Sequence, residues 1–209
     1  MGRHRRAAKG FALLFVCTGN ICRSPFAEIL TRHLLTGRLD CGASAFAVSS
    51  AGIRAVVGAQ MHERTRRELA PWRLDGVAAG PFRGRQLSRE MIGEADLVVG
   101  MNLRHRSAVI QLEPGALPTS FGLLEFARLA AAVDPDVLPA DAVARAHDLV
   151  EEVRRQRGLT PPTSPEQDQV PDPVSGTQKD HHAATTLIRQ AVDAMVEVIA
   201  PRAAAQRRA

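Results

Sequence analysis

The chain contains no tyrosine, and only 4% of its residues are aromatic. Any surface that grips a ligand ring must therefore be aliphatic or borrow one of the few phenylalanines or the single tryptophan. Cysteine is scarce as well. Three thiols cannot form a paired framework, which excludes a disulfide-stapled scaffold and makes a reducing cytosol the expected compartment. No apolar run approaches the roughly 20 residues of a membrane helix, so no membrane span is expected. The basic MGRHRRAAKG followed by FALLFV has the outline of a signal peptide, but the apolar run is too short and lacks a small-residue cleavage site. Arg6 stands where a myristoylation signal would need Ser or Thr.

Positive charge is abundant but badly placed for nucleic acid. Arg3, Arg5, Arg6 and Lys9 contribute +4, and Arg202, Arg207 and Arg208 contribute +3, of a formal total of +5. The body between them is slightly acidic, so no nucleic-acid partner is expected. Residues 1–10 and 201–209 read as basic flexible tails. The remainder, 11–200, reads as one domain, and 45% hydrophobic residues suffice for a substantial core without disulfides.

The densest information lies in residues 11–25, FALLFVCTGNICRSP. Phe11 to Val16 read as a buried strand and Pro25 as the opening of the helix FAEILTRHLL, so Cys17 to Ser24 must turn sharply between them. Backbone N–H groups in such a turn point inward as a nest, with the positive end of the helix dipole behind them. Thr18, Gly19, Asn20, Ile21 and Cys22 would form that anion cradle, Gly19 and Asn20 suiting left-handed backbone angles. Arg23 can offer two parallel N–H donors to a phosphoryl group. The same field favours the thiolate of Cys17, and Ser24 can donate a hydrogen bond to its sulfur.

Beyond the loop, the pattern predicts a helix to about Leu35, a strand near Ala45–Ser50, helices after Met61 and from Ser88, and a strand within Ala95–Met101 that is apolar throughout. Helices follow at Asn102–Gln111, from Phe121 or Leu123 to Ala132, and over Asp180–Ala200. Strands alternating with helices predict an α/β, doubly wound parallel sheet with the loop at the carboxyl end of its first strand. A further helix is expected between an N-cap at Asp141 and a stop at Gly158, with Val143, His147, Val150, Val153 and Arg154 as its stripe. Thr160–Gln167, with three prolines, reads as an extended connector. His181 and His182 read as a surface turn rather than metal ligands, Cys41 reads as structural, and no metal or cofactor is expected.

Val16 to Pro25 match the signature VCxGNICRSP, and with Ser49-Ser50-Ala51-Gly52, Gly84-Arg85-Gln86-Leu87, Ala95 to Met101 and Pro171-Asp172-Pro173 the chain resembles the low-molecular-weight protein tyrosine phosphatases. The resemblance implies a three-layer, four-stranded phosphatase I-like fold, with Cys17 as nucleophile, Arg23 as phosphate clamp, Ser24 as thiolate partner and Asp172 as general acid and then base. It implies hydrolysis of phosphotyrosine through a phosphocysteine, with inorganic phosphate as product. The stretch after Gly52, with Val57-Gly58, is most similar to the bacterial branch associated with capsule and exopolysaccharide synthesis. That branch implies a phosphotyrosine protein as substrate and a tyrosine kinase of polysaccharide synthesis as partner. The resemblance also implies that Cys22 can pair reversibly with Cys17; simple packing is the alternative.

Two departures stand out. Family members carry tyrosines after the Asp-Pro, where this chain has Val174 and Ser175; the ring wall must be aliphatic or come from elsewhere, for example Phe82 or Trp72. The chain is also long, with the surplus at about 133–168, an inserted helix before the acid loop. That helix is expected either to flank the mouth of the site or to be a passive surface feature. Two other functions fit less well. An arsenate reductase of the same fold would need more thiols, and none follows Cys41; a phosphate- or phosphopeptide-binding module would usually lack the nucleophile or acid.

Overall fold

The computed structural model describes residues 10–159, 164 and 166–202. The expected basic tails and the Thr160–Gln167 connector lie wholly or largely outside the described residues. Four strands, β1 (Phe11–Cys17), β2 (Phe46–Gly52), β3 (Leu97–Gly100) and β4 (Ser120–Gly122), form one sheet in the order β2-β1-β3-β4. Every pairing is parallel. Between and after them run α1 (Arg23–Leu39), α2 (Glu63–Arg67), α3 (Arg89–Glu94), α4 (Leu103–Leu112), α5 (Leu123–Ala130), α6 (Ala142–Gln156) and α7 (Gln178–Ile199). Among the described residues no helix is long and apolar enough to cross a membrane.

β1 is apolar throughout because it is central and covered on both faces. Its alternate residues Phe11, Leu13, Phe15 and Cys17 enter the larger core beneath α1, α5, α6 and α7. Leu14 and Val16 enter the smaller one with Ile92 of α3, Val98 of β3 and Val109 of α4. Helices on both faces make the three layers that the sequence implied, and the loop after β1 emerges at the carboxyl edge of the sheet.

Several local readings need correction. α1 starts at Arg23, two residues before Pro25, so Arg23 and Ser24 sit inside its first turn rather than ahead of it. β4 takes Phe121 and Gly122, residues that run without a break into the apolar face of α5 and so read as helix from sequence. Asp141 caps α6 as expected, its carboxylate accepting from the Ala144 N–H at 2.9 Å, but the buried face is Ala146, Leu149, Val150 and Val153, with Arg154 exposed.

α6 is also not at the site mouth. Its face belongs to the main core, and His147 reaches the Gly10 carbonyl at 3.2 Å and meets the Phe11 ring edge-on, with centroids 5.0 Å apart. Those contacts lie at the amino end of β1, about 20 Å from its carboxyl end at the usual strand rise. Nor is α6 a passive ornament. Arg145, 8% exposed, donates to the carbonyls of Leu138, Pro139 and Val198 and ties the helix to the end of α7.

Candidate active site

Four carbonyls of the loop after β1 point outward and are occupied. Cys17, Thr18, Gly19 and Ile21 accept from the N–H groups of Ile53, Arg54, Val56 and His62 at 2.7–3.0 Å. With its oxygens held by the neighbouring segment, the loop turns its N–H groups inward, which is the requirement for an anion nest. Asn20, at φ 53°, makes the left-handed step; Gly19 does not, contrary to expectation. Gly52 makes the close approach possible, because a Cβ there would stand 2.6 Å from the Thr18 carbonyl oxygen and 3.0 Å from the Asn20 nitrogen.

Cys17, 2% exposed, lies at the floor of this nest. Its sulfur receives the Ser24 hydroxyl at 2.9 Å and the Asn20 N–H at 3.2 Å. The Asn20 side chain in turn donates to Ser24 and Ser50, each at 2.9 Å, and accepts from the Arg85 N–H at 2.8 Å. Ser50 donates to buried Glu28 at 2.6 Å, and Arg32 lies 3.0 Å from the same carboxylate. Burial pushes the Glu28 carboxyl above its usual range, with the Ser50 hydrogen bond and the charges of Arg32 and Arg85 opposing. This chain of donors fixes the orientation of Ser24 toward the sulfur.

Arg23 is 2% exposed. Its Nη1 donates to the Val170 carbonyl at 3.3 Å, and its Nη2 pairs directly with the Asp172 carboxylate. Buried Nε has no partner among the described residues. The acid loop is held from the other side too: Val170 N–H donates to the Met101 carbonyl at 2.9 Å, just past β3, and Arg64 donates to the Gly176 carbonyl at 2.7 Å. Asp172 itself stays 43% exposed at the mouth.

Cys17, Arg23 and Asp172 share a cavity of about 290 Å³ with Thr18, Gly19, Ile21, Cys22, Arg54, Val56 and Val174. Its wall is thus aliphatic. Trp72 instead packs against Phe26, with ring centroids 6.5 Å apart, and Phe82 leans on the main core. A larger cavity, about 670 Å³, lies along the β2 edge and the end of α1 and includes Cys41, which is exposed rather than structural. It contains none of the loop residues from Cys17 to Arg23.

Sequence reasoning assigned no supporting role to Glu28 on α1, Ser50 on β2 or His105 on α4. The buried His105 Nε2 stands 3.0 Å from the Thr18 hydroxyl oxygen. Burial, helped by the Arg23 charge, pushes its pKa down to about 3. A base depressed in the fold stabilises it above the ordinary histidine value near 6.5 and loses that contribution as pH falls toward 3. Urea unfolding should therefore show the parent losing ~1.4 kcal/mol more per pH unit than His105→Gln between about pH 6 and pH 4. Equal slopes would remove this assignment.

Cys22 is 3% exposed. Burial raises its pKa to about 11, with a hydrogen bond from Thr65 opposing. His181 is not on a surface turn: it is fully buried, with Nδ1 2.6 Å from the Thr65 hydroxyl. His182 is exposed and faces Glu68 at 2.8 Å.

A cysteine at the floor of a strand-to-helix anion nest, with an arginine on the first helical turn, defines the class of cysteine-bearing phosphate-loop α/β proteins. The family model for low molecular weight phosphotyrosine protein phosphatase matches residues 12–137, and the chain belongs to that family. Among curated relatives, the chain is 32% identical over 104 residues to a putative low molecular weight protein-tyrosine-phosphatase of Klebsiella pneumoniae, covering 50% of this chain and 65% of that one. It is 31% identical over 116 residues to a protein-arginine-phosphatase of Geobacillus stearothermophilus, covering 56% and 71%. The chain thus spans just under two thirds of the first of these relatives. Among solved structures, the Erwinia amylovora tyrosine phosphatase AmsI superposes with a TM-score of 0.60 at 20% identity over 89% of this chain and 91% of that one. The family match ends at residue 137, before α6 and the acid loop.

Proposed function

We propose that the protein is a cytosolic protein-tyrosine-phosphatase that hydrolyses aryl phosphate monoesters through a phosphocysteine, with residues 11–200 as one catalytic domain and 133–168 as its insertion. The reading rests chiefly on one observation: Asp172 pairs with Arg23, 149 residues away in sequence, at the mouth of the cavity whose floor is Cys17. The loop amides and the Arg23 fork bind the phosphoryl oxygens, turning Arg23 from Asp172 toward the ligand. Cys17 attacks phosphorus while Asp172 protonates the departing phenolate oxygen. Asp172 then takes a proton from the water that cleaves the phosphocysteine, releasing inorganic phosphate. Charge on the phosphoryl oxygens is met by Arg23 and backbone amides, and no cofactor enters the scheme.

Ile21, Val56 and Val174 would hold the phenyl ring by apolar contact in place of stacking, and Arg54 at the cavity would favour acidic residues flanking the phosphotyrosine. A tyrosine kinase of polysaccharide synthesis is the partner we infer, supported by the similarity to AmsI and to a probable phosphatase EpsP of Ralstonia solanacearum. Cys22 would pair with Cys17 under oxidation and release it on reduction.

Phosphoarginine is a second reading, favoured by the Geobacillus stearothermophilus relative and the lack of aromatic residues in the cavity. Arg54 weighs against it, since its charge would meet the guanidinium of the substrate, and among the described residues lining the cavity Asp172 alone is acidic. Arsenate reduction lacks a relay thiol. Cys41 lies just past the far end of α1, about 25 Å from the loop at 1.5 Å per residue. Turnover of phosphotyrosine, phosphoserine, phosphoarginine and arsenate by the parent protein tests the assignment, with phosphotyrosine expected to lead.

The acid role makes a sharper prediction. Asp172→Asn should lower kcat/KM about a hundredfold or more for phenyl phosphate, whose leaving group needs a proton. For p-nitrophenyl phosphate, which leaves readily as the anion, the loss should be much smaller. Equal losses on the two substrates would show that Asp172 does not protonate the leaving group.

A further inference from the structure

Cys22, His62 and His181 come from the phosphate loop, the segment before α2 and the first turns of α7, and their ligand atoms all lie within 4.8 Å of one another. We propose that these three side chains bind a divalent transition-metal ion of the zinc class immediately behind the phosphate loop. One thiolate and two imidazoles form a donor set suited to zinc and unsuited to magnesium or calcium, which prefer oxygen.

The chemistry of His181 supports the site independently of proximity, whereas His62 must give up the hydrogen bond that its Nδ1 accepts from the Arg64 N–H at 3.3 Å. His181 is fully buried, and its Nε2 has no partner among the described residues. Its Nδ1 is 2.6 Å from the Thr65 hydroxyl. With Nδ1–H donating to that hydroxyl oxygen, the unpartnered Nε2 carries the lone pair a metal requires. Thr65 thereby orients the His181 ligand.

His62 is placed by its backbone: its N–H donates to the Ile21 carbonyl at 2.7 Å, beside Cys22. Its ring lies against that of His181 with centroids 4.6 Å apart and planes 21° apart. Partial exposure of His62 gives an entry path. A tetrahedral ion with bonds of about 2.0–2.3 Å brings its ligand atoms to roughly 3.4–3.6 Å from one another, so side-chain rotation of about an ångström closes the site. Water takes the fourth position. Binding converts the Cys22 thiol to a metal thiolate and releases one proton to solvent. The sequence concealed this site because none of the three ligands lies near another along the chain.

The test uses the reduced full-length chain, stripped with chelator and titrated with Co²⁺ without oxygen. A thiolate-to-cobalt charge-transfer band, with the visible bands of a tetrahedral ion, should rise to one equivalent and vanish when Zn²⁺ is added. The band should persist in Cys17→Ser and disappear in Cys22→Ser. His62→Gln and His181→Gln should each weaken binding about tenfold or more; His62 is partly exposed, so its variant reports even if the buried substitution misfolds. Absence of a thiolate band at stoichiometric cobalt would overturn the proposal. So would a band that follows Cys17 instead of Cys22, or one indifferent to His62→Gln.

Discussion

Cys17→Ser should abolish phenyl phosphate turnover, lowering kcat by about four orders of magnitude or more, while the protein still binds inorganic phosphate. Serine Oγ can accept the same two hydrogen bonds, from the Ser24 hydroxyl and the Asn20 N–H, so the nest should keep its shape. What is lost is the nucleophile, because a hydroxyl oxygen attacks phosphorus far less readily than a cysteine sulfur. Rapid-quench kinetics with labelled phenyl phosphate should trap phosphate on the parent and none on the variant. Calorimetry with inorganic phosphate should find binding in both. Turnover by the serine variant within about tenfold of the parent would exclude Cys17 as the attacking group.

Arg23→Lys should lower kcat about a thousandfold, although the charge is conserved. Arg23 is buried, and its fork reaches both the Val170 carbonyl and the Asp172 carboxylate while Nε remains available. One ammonium cannot satisfy two oxygens in the same plane and also tie down the acid loop. Inorganic phosphate should bind more weakly to this variant, unlike Cys17→Ser, because the clamp acts on the ground state as well as on the transition state. Retention of parental kcat with lysine would show that point charge suffices and that the planar fork does not matter.

How far the sequence could be read depended on how far apart the cooperating residues lie. Strand, loop and helix from Phe11 onward were legible because every determinant sits within a few residues of the next. β4 was not. It is three residues long, and its apolar letters merge with α5, so helical periodicity claimed them. The stripe on α6 announced that a helix must dock but carried no address, and its partners proved to be the main core and the amino end of β1 rather than the site. Asp172 was identified only by resemblance, since an Asp-Pro dipeptide alone is an ordinary turn.

The supports of the site were hidden for the same reason. Ser50 meets Glu28 across 22 residues, His105 meets Thr18 across 87, and His181 meets Thr65 across 116. A serine, a histidine or a threonine in isolation gives no sign of such a partner. His181 in particular reads as polar and terminal, and yet it is buried: Asp180, third residue of α7, turns back to accept from the N-cap Thr177 while the next residue faces inward.

The sequence by itself determined the cradle: a doubly buried strand, a five-residue turn with one left-handed asparagine, and an arginine on the following helix, all set by local sterics and by alternation between two apolar faces. Only the tertiary structure decided what surrounds it, namely the carboxylate that reaches over the mouth, the aliphatic wall and the histidines behind Cys22. Backbone angles and dipoles are governed by near neighbours, whereas the docking of distant segments follows from how apolar faces share a core, and that sharing is a property of the whole chain.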